Sequence, residues 1–357
     1  MRVAFVNTGR GWGGAEEQML AMSRELEERG HLVAVFARRG GVIQERFAAG
    51  GHSVLPVHRK GIAAIAAPLR AALLARAGRF DVVHSHRDHD LPLGKLIALA
   101  CGAPLLLTQH CLPNKPSSFT YRLADRVVAV SHYIAAGIKA KLPAMGERIG
   151  VIVNGIDLAP FAAADPQFWR RHPQVGTRTP LLGTVGAFYK GQEELVRLLP
   201  PLLKEFPRLA LILIGEDEQR KDSLQQLARQ VGVAEAVVFA GQIPREEMKD
   251  ALCSLDLNVS AFRNEGFGLS VVEGLAGGTP FVGYRAGGYP EIVSAAEAGC
   301  LVDTPDQMAG AIAGMLRDPR HAAPATGSAC REIAARFSLA SMVDAYLALY
   351  LAINGRS

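Results

Sequence analysis

The stretch from Ser260 to Glu291, reading SAFRNEGFGLSVVEGLAGGTPFVGYRAGGYPE, gathers residue types that could do chemistry together. Glu265 stands just before Gly266-Phe267-Gly268, and Glu273 follows with seven residues between the two carboxylates. Glycines that lead from a strand into a helix let a ligand approach the backbone closely, and the free amides of a helix start form a ready phosphate site. A carboxylate at Glu265 can accept hydrogen bonds from sugar hydroxyls, and Glu273, two turns into the helix, can hold those of a ribose. A lone Gly-x-Gly would read as an ordinary strand-to-helix junction. The two glutamates, backed by Gly278-Thr279-Pro280 and Gly287-Gly288, argue for a site instead.

Other segments carry weaker chemistry. His84, His86, Asp88, His89 and Asp90 crowd one stretch, and His84 and His86 share a strand face. No cysteine or further histidine is arranged to complete a metal set, so no metal ligand is assigned and the stretch reads as a loop lining a cleft. Gly9, Gly11 and Gly14 spell Gly-x-Gly-x-x-Gly between a first strand and a helix, a dinucleotide fingerprint, and Arg38-Arg39 after the second strand would suit NADP. An NADP-dependent oxidoreductase is therefore an alternative, although no Tyr-x-x-x-Lys pair is present and the Ser260 to Glu291 stretch would go unexplained. Trp12, inside the glycine loop, can either stack on a ligand or pack.

The elements that must position these residues follow from the apolar pattern. Runs rich in Val, Ile and Leu at Arg2 to Val6, Leu32 to Arg38, Ser53 to Val57, Asp81 to His86, Pro104 to His110, Arg126 to Ser131 and Ile149 to Asn154 read as buried strands. Helical patterns lie between several of them. The clearest, Gly14 to Arg29, lines up Ala15, Met19, Met22 and Leu26, carries Glu16 and Glu17 in its first turn, and stops at Gly30. After a polar, proline-containing stretch around Asp165 to Pro180, a second strand series runs Leu181 to Gly186, Ala210 to Gly215, Val237 to Gly241, Leu255 to Ala261, Pro280 to Tyr284 and Cys300 to Asp303. Strand and helix alternating twice over predicts an α/β chain of two parallel sheets, each covered by helices, facing each other across a cleft. The boundaries expected are 1–160, 161–336 and a closing amphipathic helix, 337–357, that packs back on the first domain.

Composition narrows the classes further. At 357 residues, 49% hydrophobic and 20% charged, the chain has enough apolar surface for two cores and lacks the signature of disorder. Five scattered cysteines supply neither a disulfide framework nor a Cys-x-x-Cys site, which points to a reducing cytosol. The first residues read as a strand rather than a signal peptide, and the apolar stretches Gly61 to Gly78 and Leu91 to Leu107 are broken by charges, glycine and proline. A cytoplasmic protein is expected. Residues 1–155 hold 20 Lys and Arg against 11 Asp and Glu, whereas the remainder is net acidic. That asymmetry fits an anionic partner on the first half, a membrane surface or a phosphorylated acceptor, as well as a plain basic surface.

The Ser260 to Glu291 stretch resembles the signature of the retaining glycosyltransferases of family 4, which have the GT-B architecture of two Rossmann-like domains. Gly13-Gly14-Ala15-Glu16, Asp81 to His86, Ala124 to Ser131, Val153 to Asp157, Gly215-Glu216 and Val238 to Gly241 are similar to family segments in order and position. The resemblance implies that Glu265 contacts the donor sugar, Glu273 the ribose, and the amides of Gly266, Phe267, Gly268 and Leu269 the diphosphate and sugar. Lys190 would neutralise the leaving diphosphate, His110 would approach the sugar near the reacting carbon, and Gly14 would bring backbone close to phosphate or acceptor. Backbone groups from Gly241 through Ile243 to Pro244 would hold the base.

One departure stands out: Gly186-Ala187 replaces the family's usual Gly-Arg, so one of two cations is missing unless Arg263 or another loop arginine substitutes. The implied activity is hexosyl transfer from a UDP-sugar, with a GDP-sugar second, to a saccharide or an anionic glycolipid such as lipopolysaccharide core. It would proceed with retention and without metal or cofactor. The implied partners are the nucleotide-sugar, that acceptor and the cytoplasmic face of the inner membrane, with no nucleic acid. A non-catalytic sugar-nucleotide binding protein is a further alternative.

Overall fold

The computed structural model describes residues 1–58, 63–114, 116–318 and 324–355. The chain divides into two compact units, Met1–Ile156 with Leu339–Ser357, and Asp157–Ser338. Gly61 and Ile62, at the head of one apolar stretch noted above, lie outside the described residues.

In the first unit seven parallel strands, β1 (Arg2–Asn7), β2 (Leu32–Arg38), β3 (Ser53–Val57), β4 (Val82–Ser85), β5 (Leu105–Gln109), β6 (Arg126–Ala129) and β7 (Ile149–Val151), form one sheet ordered β3-β2-β1-β4-β5-β6-β7. Its inner strands β1, β4 and β5 are buried on both faces, which is why they read as continuous apolar runs rather than alternating ones. The helix Gly14–Glu28 seats Met19, Met22 and Leu26 against the sheet. The helix Leu339–Ile353 adds Met342, Val343, Tyr346 and Tyr350 to the same core. The strand expected to run to Asn154 ends at Val151: after Ile152 donates its amide to Ala129 the chain turns away from the sheet.

In the second unit β8 (Leu181–Val185), β9 (Ala210–Ile214), β10 (Val237–Gly241), β11 (Leu257–Ser260), β12 (Phe281–Tyr284) and β13 (Gly299–Val302) form a parallel sheet ordered β10-β9-β8-β11-β12-β13. From β8 the chain winds outward to β9 and β10, then returns to place β11 on the other side. That makes β8/β11 the switch point, outside whose carboxyl ends an open α/β sheet has its crevice. The stretch from Asp165 to Pro180 is more than a linker. Trp169 is fully buried with Val175 and Leu181, and its indole N–H donates to the Ala251 carbonyl at 2.7 Å. Among the described residues no helix is long and apolar enough to cross a membrane.

Candidate functional site

At the switch point of the second unit the loops after β8 and β11 meet. Lys190, four residues past a turn at Gly186, reaches Glu265 with Nζ 3.0 Å from Oε2, and the ammonium lies 5.3 Å from the Phe262 ring centroid. Both side chains are mostly covered. Gln192, buried, donates to the carbonyls of Gly186 and Ala187 at 3.3 and 3.2 Å and so pins the loop that presents Lys190.

From Glu265 the chain runs through Gly266 and Phe267 to Gly268, which caps the helix Leu269–Ala276 with φ +115° and no side-chain partner for the first-turn amides. Those amides carry the positive end of the helix, the physical requirement for an anion. The Phe267 ring is buried against Phe337, 5.5 Å between centroids, so this residue has only its main chain to offer a ligand. The shape of the loop depends on Gly287 and Gly288. The Gly288 amide donates to the Glu265 carbonyl at 2.9 Å, and a Cβ there would lie 2.6 Å from the Phe267 carbonyl oxygen. Tyr289 supports the cap from below with its hydroxyl 2.8 Å from Ser260 Oγ. Burial, and then the nearby Glu265 charge, raise its pKa above the usual phenol range.

Glu273 is buried on the same helix and forms an ion pair with Arg245, which is half exposed. Arg245 lies in the segment after β10, beyond Gly241 (φ +71°) and the partly buried Ile243. The sequence reading missed this pair. An arginine followed by Glu246 and Glu247 reads as a solvated face, and the only signal was the expectation that Arg263 or another loop arginine replaces the missing cation. The structure instead holds Arg263 on Tyr284, Cζ 3.5 Å from the ring centroid, and on Glu194 at 3.2 Å. Thus Lys190 follows β8, Glu265, Gly266, Phe267, Gly268, Leu269 and Glu273 follow β11, and Gly241 and Ile243 lie at and just past the end of β10, all at the carboxyl edge of one sheet, with Arg245 added.

His110 and Gly14 belong to the first unit. Gly14 opens the helix Gly14–Glu28, exposed. The preceding loop is held by Asp90, whose carboxylate accepts from the Thr8 amide at 2.7 Å, and by Asn7, which accepts from the Gly9 amide at 3.0 Å. Trp12 packs: it lies against Phe47, Arg46 covers its ring at 4.6 Å, and its N–H donates to Glu17. His110 follows β5 with Nε2 3.4 Å from His86 Nδ1, and burial lowers its pKa to about 4, so it is neutral at pH 7. The histidines noted as a crowded segment are used in hydrogen bonds and stacking, and among the described residues no group of three or more His, Cys, Asp or Glu could hold a metal ion.

Comparison with known proteins finds matches for both units. Residues 12–160 match the glycosyltransferase family 4 model and residues 166–331 the model for glycosyl transferases group 1. The chain is similar to a D-inositol 3-phosphate glycosyltransferase of Acidothermus cellulolyticus, 29% identical over 95% of this chain and 85% of the relative. It is also similar to a phosphatidyl-myo-inositol mannosyltransferase of Mycolicibacterium smegmatis, 26% identical over 86% and 82%. The crystal structure of Anabaena Alr3699/HepE in complex with UDP superposes with a TM-score of 0.82 at 22% identity, covering 98% of this chain and 99% of that one. With two parallel-sheet α/β units and a domain of each kind in order, the chain belongs to the GT-B glycosyltransferases of family 4.

Proposed function

We propose that the chain transfers a hexose-type sugar from a nucleoside diphosphate sugar, a UDP-sugar first and a GDP-sugar second, to a saccharide or anionic glycolipid acceptor such as lipopolysaccharide core. The transfer proceeds with retention and without a metal. The observation that carries this reading is the Lys190–Glu265 pair at the β8/β11 switch point, beside a glycine-capped helix start. A fixed ammonium and a row of amides stabilise negative charge that grows on a departing diphosphate, while Glu265 accepts from sugar hydroxyls. As the bond from C1 to the phosphate oxygen breaks, its electron pair leaves with the diphosphate. The acceptor oxygen bonds C1 on the same face, and its proton passes to the departing phosphate oxygen. Arg245 supplies the second cation that Ala187 does not, and Glu273, its ion-pair partner, accepts from the ribose hydroxyls.

The acceptor class draws on charge. The basic half of the sequence is the first unit, and both relatives named above act, by their names, on inositol phosphates or their lipids. Exposed Leu73, Leu99 and Phe119 on that unit suit peripheral contact with the cytoplasmic face of the inner membrane. The substitution of Ala187 favours one second reading, a binding protein without turnover. Incubation with UDP-glucose, UDP-galactose, UDP-N-acetylglucosamine and GDP-mannose in EDTA, with proton NMR of the released or transferred sugar, separates them. An α-anomeric product from an α-linked donor supports the proposal. A β product, or turnover restored only by divalent metal, contradicts it, and binding with no release in any mixture favours the second reading.

A further inference from the structure

Three histidines form a stack on one face of the first sheet, and their hydrogen bonds decide how the outermost one is presented. His84 lies on β4 and His86 just past it; Thr108 lies on β5 and His110 just past it, with β4 and β5 paired in parallel. Alternation along each strand puts all four side chains on the same face, under Tyr346 and Tyr350 of the C-terminal helix. His84 is held at both nitrogens: Nδ1 is 2.7 Å from the Tyr350 hydroxyl and Nε2 2.7 Å from Thr108 Oγ1, which is 2.9 Å from the Tyr346 hydroxyl. The His86 ring stacks on His84 at 4.2 Å and 28°, with Phe5 edge-on at 4.9 Å, and its other neighbour is His110 at 5.7 Å and 21°.

Burial keeps all three imidazoles neutral, so each carries one N–H. His86 is buried, its Nδ1 faces His110 Nε2 at 3.4 Å, and its Nε2 is buried with no hydrogen-bond partner. If the proton sat on Nε2, a buried N–H would be orphaned, an arrangement native proteins almost never keep. With the proton on Nδ1 only a lone pair goes unused. The second arrangement makes His86 the donor and His110 Nε2 the acceptor.

We propose that His86 is a positioning residue for His110: held by the His84 stack and the two tyrosines, it donates Nδ1–H to His110 Nε2 and so fixes His110 as the Nδ1–H tautomer. His110 then offers an outward N–H to an oxygen of the bound ligand, a sugar hydroxyl or phosphate oxygen, and not a base. The tautomer follows from this unit's own geometry; its effect on turnover rests on the role proposed for His110 above. The sequence placed His84 and His86 on one strand face but had no means of joining them to Tyr346 and Tyr350, more than 200 residues on.

The test uses the full chain labelled with ¹⁵N-histidine. Long-range ¹H–¹⁵N correlation at pH 7.5 reads which nitrogen of each ring is protonated, and loss of a signal set in His110→Gln assigns His110. The expected spectrum shows His110 protonated at Nδ1. His86→Leu should release it towards the Nε2–H form, and His86→Asn, whose amide places an N–H near the Nδ1 position, should restore it. UDP release from UDP-glucose should fall about tenfold in His86→Leu, short of the roughly 100-fold cost of misplacing a reacting group by an ångström, and return to within about twofold in His86→Asn. A wild-type His110 protonated at Nε2, or a tautomer unmoved by His86→Leu, overturns the proposal; the wild-type spectrum decides even if a variant fails to fold. Should the tautomers behave as expected while His110→Ala releases UDP at the wild-type rate, the role of His110 in transfer falls and its positioning by His86 stands.

Discussion

Replacing Lys190 by alanine separates what its contact with Glu265 does for the fold from what it does for the reaction. The heads are 3.0 Å apart, with the two side chains 27% and 21% exposed, so water screens much of their attraction. A pair of this kind contributes about 1 kcal/mol to stability, which for a unit of this size moves the melting temperature by about 2–4 °C. In the proposed transfer the same ammonium faces charge that exists only once the diphosphate departs, and removing one preorganised donor of that kind costs about 2.7–4 kcal/mol, a factor of about 100 to 1,000 in turnover. The assay is UDP release from UDP-glucose at saturating donor, with melting curves of both proteins and calorimetric affinity for UDP. A fall in turnover of at least about 100-fold with a nearly unchanged melting temperature is expected. Turnover within about threefold of wild type, or a loss fully matched by unfolding, would remove Lys190 from the chemistry.

Other outcomes follow from the same geometry. Gly288→Ala places a methyl against the Phe267 backbone and should displace the Glu265–Gly268 loop, weakening UDP binding about tenfold or more in calorimetry while circular dichroism stays native. Arg245→Ala leaves Glu273 buried without its counter-ion; a loss of about 1–2 kcal/mol in urea unfolding is expected, together with weaker UDP binding. His84 and His110 have folded pKa values of about 3 and about 4 against an ordinary 6.5, so below pH 6.5 the unfolded chain takes up protons that the native one refuses. Stability should be flat above about pH 7 and fall as the pH drops from 6.5 towards 4, by up to about 1.4 kcal/mol per pH unit for each histidine, and His84→Gln should flatten the fall.

The fold was legible because parallel strands buried on both faces announce themselves as apolar runs: Leu32 to Arg38 and Leu181 to Gly186 appear in the structure nearly residue for residue, the second ending at Val185. Boundaries set by long-range contacts were not. Ile149 to Asn154 looks extended throughout, yet only Ile149–Val151 finds a partner strand, and Trp169, in a stretch that reads as polar linker, is a core residue because Ala251 accepts its N–H. At the site, local glycine and glutamate spacing exposed the helix start at Gly268, since a glycine-capped helix start is built from neighbours in sequence. The cation on Glu273 comes from another strand's loop, and the hydroxyls that hold His84 come from a helix at the far end of the chain. Both depend on strand order, which no local pattern encodes.

The most direct test of the central claim is the melting temperature of the purified protein with UDP, GDP, ADP and NADPH in parallel, each at a concentration of several millimolar. A ligand at about 100 times its dissociation constant stabilises its unit by about 2.7 kcal/mol, a shift of several degrees. Stabilisation by UDP, or by GDP in its place, with none from NADPH is expected. A shift with NADPH alone would make Gly9 to Gly14 a dinucleotide loop and contradict the transfer of sugar from a nucleoside diphosphate.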